Sequence, residues 1–399
     1  MKYPVTFIVQ GLQYARMRLI NDDTGATIQL SQPIRIQEFG ILRHEFVGLS
    51  ADTKYRVQVE TVAGQASPFV ARFKTPLAGA HSFTFAAGSC SDTQSNALIF
   101  DNLRTRAEAG DLDFFVHMGD MHYRDEDRND EKWFQRHFRE VFAQQRQRDC
   151  WSALPMIYMW DDHDFGPNDS ARDNPARQAA IAAYRRTVPS PQLVRTGPED
   201  APYYAFTRGR VRFVVPDCRS ERAPKGLYPT TDPRQVVWTD EQKAWFFEEL
   251  TSAQANNQAV VWVQTKRWNG TAVTGGDTWA GYDAARQEVI SFITAESLTD
   301  RLVMIAGDMH AIAYDDGTNT GGFKLCHAAP IDKGATSSGP FTTASLPLVT
   351  SARALQYGLF DVTDTGGADI GIRFRGMQVD IDTGAETEGI DVSFDLDAA

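Results

Sequence analysis

The chain has 399 residues, 42 % of them hydrophobic and 23 % charged, with a formal net charge of −12. That length is too great for one small core and sets an expectation of two domains, and the composition is that of a folded globular protein. The acidic balance excludes a basic nucleic-acid-binding face, although locally bound metal ions would reverse the sign for a phosphorylated ligand.

The start, "MKYPVTFIVQGL", has no basic leading region, long apolar core or small-residue cleavage site, so no signal peptide is expected from it. This leans the chain toward the cytoplasm; a leader already removed would place it in the periplasm or outside the cell. No apolar run approaches the roughly 20 residues of a membrane helix. Residues 1–76 read as β-rich, with "VTFIVQGL", "ARMRLIND", "HEFVGLS", "KYRVQVETV" and "FVARFKT" as short alternating or β-branched runs between turn residues. The run "LSADTKYRVQVE" resembles a strand-turn-strand element of a fibronectin type III-like sandwich. "TPLAGAHS", from Thr75 to Ser82, reads as a linker.

From residue 82 to 399 the pattern changes to apolar runs alternating with helical segments, which predicts an α/β domain. The runs are "FTFAAGSC", "DFFVHMGD", "LPMIYMWDDHD", "RVRFVVPDCRS", "AVVWVQTKRW" and "RLVMIAGDMH". Between them, "EKWFQRHFREVFAQQ" places Phe134, Phe138, Val141 and Phe142 on one helical face. "TDEQKAWFFEEL" opens with Thr239 and Gln242 at capping-box spacing. The C-terminal stretch "GLFDVTDTGG" through "GIDVSFDL" returns to strands joined by Gly-rich turns.

Nearly every buried run ends in metal-competent residues: Cys90, then Asp120, then Asp161 to Asp164, then Asp217, then Asp308 and His310. The carboxyl ends of strands in open α/β folds converge on one rim, where ligands bind, so these clusters are expected to meet. "WDDHDFGPND" crowds carboxylates that repel one another unless a cation is near. Hard oxygen donors suit calcium, magnesium or a ferric ion, and imidazole suits borderline metals. His163 is a candidate general acid. Asp120 alone would be a turn-capping residue, Tyr123 a half-buried aromatic, and Cys90 an apolar thiol like Cys150, Cys218 and Cys326. It is their shared strand-end position that argues otherwise. The four cysteines include no C-x-x-C pair, which excludes a zinc ribbon or thioredoxin-like site. His117, inside its apolar run, reads as a satisfied core histidine. In "DCRS", Arg219 is an ion-pair partner or, facing a metal rim, a bidentate phosphate clamp.

Taken in order, "GSC", "GDMHY", "WDDHDFGPND", "DCR", "TDEQKAW" and "GDMH" resemble alkaline phosphatase D-type (PhoD-like) metallophosphatases, a family of the calcineurin-like, purple-acid-phosphatase-related superfamily. The likeness runs from about Phe83 to Asp361. The family replaces the usual Asp-x-His of metallophosphatases with a cysteine, as Gly88-Ser89-Cys90 does here. The resemblance implies Fe(III) held by Cys90, Asp120 and Tyr123, with Ca(II) held by Asp120, Asn168, Asp308 and His310. Asp162 stands where relatives carry a metal-bridging Asn, and His163 where they carry a proton donor. His122 and Pro167 depart from otherwise matching motifs.

The expectation is thus a fibronectin III-like β-sandwich over residues 1–76, then a four-layer α/β/β/α metallophosphatase domain over residues 82–399. Its activity would be phosphoester hydrolysis by a metal-activated oxygen nucleophile, with His163 and Arg219 acting on the leaving group and developing charge. The substrate would be a phosphorylated small molecule, lipid or nucleotide. Phospholipase D-like and phosphotriesterase-like hydrolysis fit the same residues. A calcium-stabilised adhesion module is the rival of another class, and it has no use for Cys90 and Tyr123.

Overall fold

The computed structural model describes residues 2–336, 339–345 and 353–399. Its first strands are β1 (Lys2–Ile8), β2 (Tyr14–Asn21), β3 (Thr27–Leu30), β4 (Ile34–Arg35), β5 (Ile41–Val47), β6 (Lys54–Thr61) and β7 (Ala66–Lys74). β1 pairs with β5, and β3, β2, β6 and β7 form a second sheet that β4 joins beside β2. Alternation drives this packing: Ala15, Met17 and Leu19 of β2 and Tyr55, Val57 and Val59 of β6 are buried. They share a core with Val5, Leu42, Phe46 and Phe73, which is the expected sandwich-like arrangement. The short β3 is largely exposed and so carries no alternation that would have betrayed it.

The larger region continues with β8 (Phe83–Gly88), α1 (Ile99–Ala109), β9 (Phe114–His117), α2 (Glu131–Phe142), α3 (Gln145–Ala153), β10 (Met156–Tyr158), α4 (Asp162–Phe165) and α5 (Arg177–Thr187). Then come β11 (Tyr204–Arg208), β12 (Val211–Val215), α6 (Asp240–Ala255), β13 (Ala259–Gln264), α7 (Asp283–Ala295), β14 (Leu302–Ala306), β15 (Ile312–Asp315) and β16 (Lys324–Ala328). The last strands are β17 (Thr343–Ser345), β18 (Leu355–Thr363), β19 (Asp369–Val379) and β20 (Glu386–Asp397).

One sheet runs β10-β9-β8-β18-β19-β20 and the other β11-β12-β13-β14-β16-β15-β17. Strand pleating sorts their side chains into layers. Phe85 and Ala87 join Phe213, Val261, Ile305 and Phe360 in the core between the sheets, where the Phe85 and Phe360 rings stack at 4.6 Å. Ala86 and Phe115 face outward under Ile99, Leu103 and Cys150 of α1 and α3. Val260, Trp262 and Met304 face the other way, under Phe246, Leu250 and Val289 of α6 and α7. The result is the expected α/β/β/α order of layers. The C-terminal strands extend the sheet of β8, and β20 forms its edge, with Glu388, Asp391 and Asp395 exposed along it.

Two local expectations differ. Thr239 Oγ1 does accept from the Gln242 amide at 3.3 Å, but the Gln242 side chain does not return to the cap. It accepts from the Asp217 amide at 2.7 Å and donates to Glu221 at 2.8 Å, so it fastens α6 to the end of β12. His117 is buried against Phe115, Trp151 and Tyr158, yet its Nδ1 has no hydrogen-bond partner. Burial drives its pKa down to about 3, so it is neutral.

The sandwich rests against α2, α3 and α5. Arg43 donates to the Arg185 carbonyl at 2.5 Å, and Lys132 lies 3.4 Å from Glu38. Between the two parts lies an open cleft of about 940 Å³ lined by residues such as Tyr3, Phe7, Phe138, Phe142 and Trp151. Among the described residues no helix is long and apolar enough to cross a membrane.

Candidate metal centre

β8, β9 and β10 are mutually parallel, as are β12, β13, β14 and β16, so their carboxyl ends open on a common rim. The loops beyond them interlock. The Cys90 amide donates to the Gly119 carbonyl at 3.1 Å, and the Ser91 amide to the Asp120 carbonyl at 2.8 Å. Gly119, at φ +86°, presses so closely on the next loop that a Cβ there would lie 2.5 Å from both the Asp161 Cβ and amide nitrogen. Nine described non-glycine residues have positive φ, and five of them lie at this rim: Cys90, Asp120, Asp125, Asp169 and Asp308. Backbone strain of this kind persists where the surroundings over-determine it, and it concentrates at functional sites.

Asp120 Oδ2 is the focus. The Cys90 thiol donates to it at 3.5 Å and the Tyr123 hydroxyl at 3.0 Å, while the buried Oδ1 has no partner. One ligand-capable atom each of Asp120, Asp162 and His163 lies within 4.8 Å of the others. His310 Nε2 lies 3.4 Å from the Tyr123 hydroxyl, and its Nδ1 faces the Gly334 carbonyl at 2.6 Å. The Asp308 carbonyl oxygen lies 3.8 Å from Cys90 Sγ. Asn168 is exposed, and its neighbour Asp169 is the residue that groups with Asp162 and Asp277.

These acidic groups hold one another protonated. Burial first, and the Asp162 charge next, push Asp120 up to about 8. Burial and then Asp120 raise the Cys90 thiol and the Tyr123 phenol well above their ordinary values. A thiol, a phenol and an unpartnered carboxylate oxygen converging in a dry site fit a cation, which would replace their protons. Donor chemistry and orphaned oxygen together make this rim a fitting metal site.

The carboxylates of "WDDHD" also have partners within the protein. Asp164 accepts from the Met121, His122 and Asp161 amides at 2.8, 3.1 and 3.2 Å. Asp161 pairs with the Arg219 Nε, and Asp162 lies 2.9 Å from Arg219 Nη2. Burial alone would raise Asp162, but Arg219 and Lys266 outweigh it and hold the carboxyl near about 2. Asp217 accepts from Trp160 Nε1 at 2.8 Å and from the Arg219 amide at 2.9 Å, fixing the loop that carries the arginine.

Lys266, Arg222 and Asp277 also belong to the rim and were not singled out in the sequence. Lys266 follows β13 as Asp308 follows β14, so the strand-end pattern could have found it. Asp277 arrives on an irregular loop with no such signal. The second carboxylate group, Asp162, Asp169 and Asp277, is faced by Arg219, Arg222, Lys266 and Lys225, so its charges are already balanced without an ion.

A family model described as PhoD-like phosphatase matches residues 85–331. Alkaline phosphatase D of Bacillus subtilis (strain 168) is 31 % identical over 186 residues, which is 40 % of this chain and 32 % of that protein. The match therefore spans about a third of that relative's length. A solved structure of PhoD covers 100 % of this chain and 84 % of its own, at 20 % identity and a TM-score of 0.76. Purple acid phosphatase PPD1 from seeds of yellow lupin (Lupinus luteus) covers 99 % of this chain and 72 % of its own, at 10 % identity and a TM-score of 0.58. At such identities the two structures speak for the fold.

Proposed function

The chain belongs to the PhoD-like phosphatase family, and from that premise we propose that it is a metal-dependent phosphoester hydrolase. The observation that carries the reading is Asp120 Oδ2 shared by a buried thiol and a phenol, beside an Oδ1 with no partner. Cys90, Asp120 and Tyr123 would hold Fe(III), because thiolate and phenolate favour a ferric ion. Asp120, Asp162, Asp308 and His310 would hold Ca(II), with Asn168 or the nearer Asp169 contributing. When bound, such ions polarise phosphoryl oxygens and lower the pKa of water at the site.

The protein's own groups would do the rest. His163 has its Nδ1 beside Asp125 Oδ1 at 2.5 Å and its ring against Tyr123 at 4.2 Å, so the imidazole is held in place. In the metal-free protein burial lowers its pKa, but Asp120, Asp162 and Asp125 outweigh that and raise it; the Asp125 hydrogen bond would favour a protonated ring facing the leaving oxygen. Arg219, fully buried and fixed by three carboxylates, would neutralise charge developing on the phosphoryl group. The substrate would be a phosphomonoester or phosphodiester of a small molecule, lipid or nucleotide. A calcium-binding adhesion module leaves Cys90 and Tyr123 without a purpose.

Elemental analysis of protein purified without chelator, with assays on nitrophenyl mono- and diesters, tests the reading. Iron and calcium should both be present, concentrated protein should be coloured by iron-bound tyrosinate, and ester should be cleaved. Cys90→Ala should lose the iron and the colour, whereas Cys150→Ala should keep both. Colourless protein holding only zinc would refute the metal assignment, and metal-loaded protein inert on both esters would refute the activity.

A further inference from the structure

Arg219, Arg222 and Lys266 are each at most 1 % exposed, and all three converge on one carboxylate, that of Asp277. Arg219 Nη1 and Nη2 lie 3.2 Å from its two oxygens, while Arg222 contacts Oδ1 and Lys266 contacts Oδ2. A bidentate guanidinium supplemented by two further cations is the donor set that binds a phosphoryl group. The cluster also adjoins the candidate ligands, since Lys266 Nζ lies 3.3 Å from Asp308 Oδ2 and Arg219 Nη2 lies 2.9 Å from Asp162 Oδ1.

The cations and their counter-ion differ in how they are mounted. Arg219 and Lys266 stand just beyond β12 and β13, and Arg222 also donates to the Asp169 carbonyl at 2.9 Å. Asp277 instead ends a loop whose residues 271–275 are exposed, between the buried anchors Trp268 and Trp279. Its side chain is the member of the group that reaches solvent, at 16 %. Asp161 and Asp162 also pair with Arg219, and Asp308 lies 3.3 Å from Lys266, but among the described residues Arg222 faces no other carboxylate, and a buried charge left unpaired is strongly destabilising. Asp277 meets that need when no substrate is present.

We propose that Arg219, Arg222 and Lys266 form a phosphoryl-binding subsite and that Asp277 is its built-in occupant, a carboxylate that an incoming phosphate group displaces. This rests on the phosphoester-hydrolase reading. One anion replaces another, so the cations are never bare. Return of Asp277 competes with the product phosphate and hastens its release, at the cost of weaker apparent binding.

Two measurements with inorganic phosphate on the metal-loaded protein test this. Asp277→Asn keeps the shape and removes the charge, so calorimetric titration should show phosphate binding about tenfold tighter than in wild type. In the wild type, saturating phosphate should speed amide hydrogen exchange across residues 270–278, because the loop loses its side-chain tethers and keeps only weaker ones such as the 3.0 Å bond from Arg222 to the Asp277 carbonyl. Phosphate that protects this loop, or a folded Asp277→Asn protein that binds phosphate no more tightly, would overturn the proposal and make Asp277 a fixed structural counter-ion. Should the variant not fold, the exchange experiment on the wild type decides alone. A wild type that cleaves esters and binds phosphate without loosening the loop sinks only this inference; one that does neither sinks the hydrolase reading as well.

Discussion

Asp120 lies where burial and charge oppose each other most directly, and this gives a pH dependence with a definite sign. Its ordinary pKa of 3.8 is raised to about 8, and Asp164 is raised by burial to about 7. A raised folded pKa means that the metal-free folded chain keeps a proton which the unfolded chain releases. The stability so gained is fully present below the ordinary value and is lost as pH rises through the folded one. Buried neutral histidines oppose this at lower pH: His117 at about 3 and His327 at about 4 favour folding more as pH climbs to their ordinary 6.5. Above 6.5 the carboxyls dominate, and His163, whose pKa is raised by Asp120, Asp162 and Asp125, acts in the same direction. The chelated protein should therefore melt at falling temperature between pH 6.5 and about 8, and the metal-loaded protein should fall less steeply, because the ion has replaced the proton of Asp120 while Asp164 still titrates. A chelated protein whose melting temperature rises across that window would show that Asp120 is already ionised. His163 offers a kinetic counterpart. His163→Ala should lower kcat by about 10²- to 10⁴-fold for an alkyl leaving group, less for nitrophenolate, with metal content unchanged. Equal losses accompanied by metal loss would make it a ligand instead.

Among the elements, the turn after β9 is the tightest point of the rim. Gly119→Ala must place a Cβ at 2.5 Å from the Asp161 backbone while keeping φ at +86°. The left-handed conformation costs about 1 kcal/mol and the overlap ~1–3 kcal/mol more. Gly110, at the end of α1, has φ +84° but open space around it, so Gly110→Ala should cost only the first term. Chemical denaturation of the two variants checks the difference, and metal analysis should show a deficit for Gly119→Ala alone. Equal destabilisation would mean that the neighbouring loop yields freely. The same turns explain what the sequence revealed. Apolar runs ending in Cys90, Asp120, Asp162 and Asp308 are local signals, and parallel strands had to bring them together. The choice between Asn168 and Asp169 depends on a left-handed residue at position 169, which side-chain type does not dictate. Asp277 reaches the rim only through the path of its loop. Gln242 has the spacing of a capping box, yet the buried amide of Asp217 competes for its side chain and wins.

For the whole molecule, the division of labour between its two parts is open to a direct cut. All the rim residues described lie beyond residue 82, so the sandwich is expected to position or cover rather than to react. Beside its contact with α2, α3 and α5 lies an open cleft of about 940 Å³, where apolar side chains of the two parts face each other without packing together fully. Removing residues 1–76 should therefore lower the melting temperature and uncover Phe142 and Trp151, while leaving metal stoichiometry intact and kcat on a small nitrophenyl ester within about threefold. A folded truncation that keeps its metals but cleaves nothing would show that the sandwich supplies part of the reacting site.

The outer strand of the larger sheet bears on self-association. Among the described strands β20 is the last of its sheet and pairs with β19 alone, a position where another copy could add its own edge. Glu388, Asp391 and Asp395 are exposed along that strand, with Arg373 beside the first two, so two copies meeting edge to edge would bring a net acidic strand against its like. That colloidal barrier is electrostatic and should weaken in strong acid, although the Arg373 guanidinium beside Asp391 holds its carboxyl below the usual range. Light scattering should then report growing particles at acid pH before the secondary structure is lost. Replacing the three acids with threonine should bring the same growth to neutral pH, where the wild-type edge keeps the copies apart.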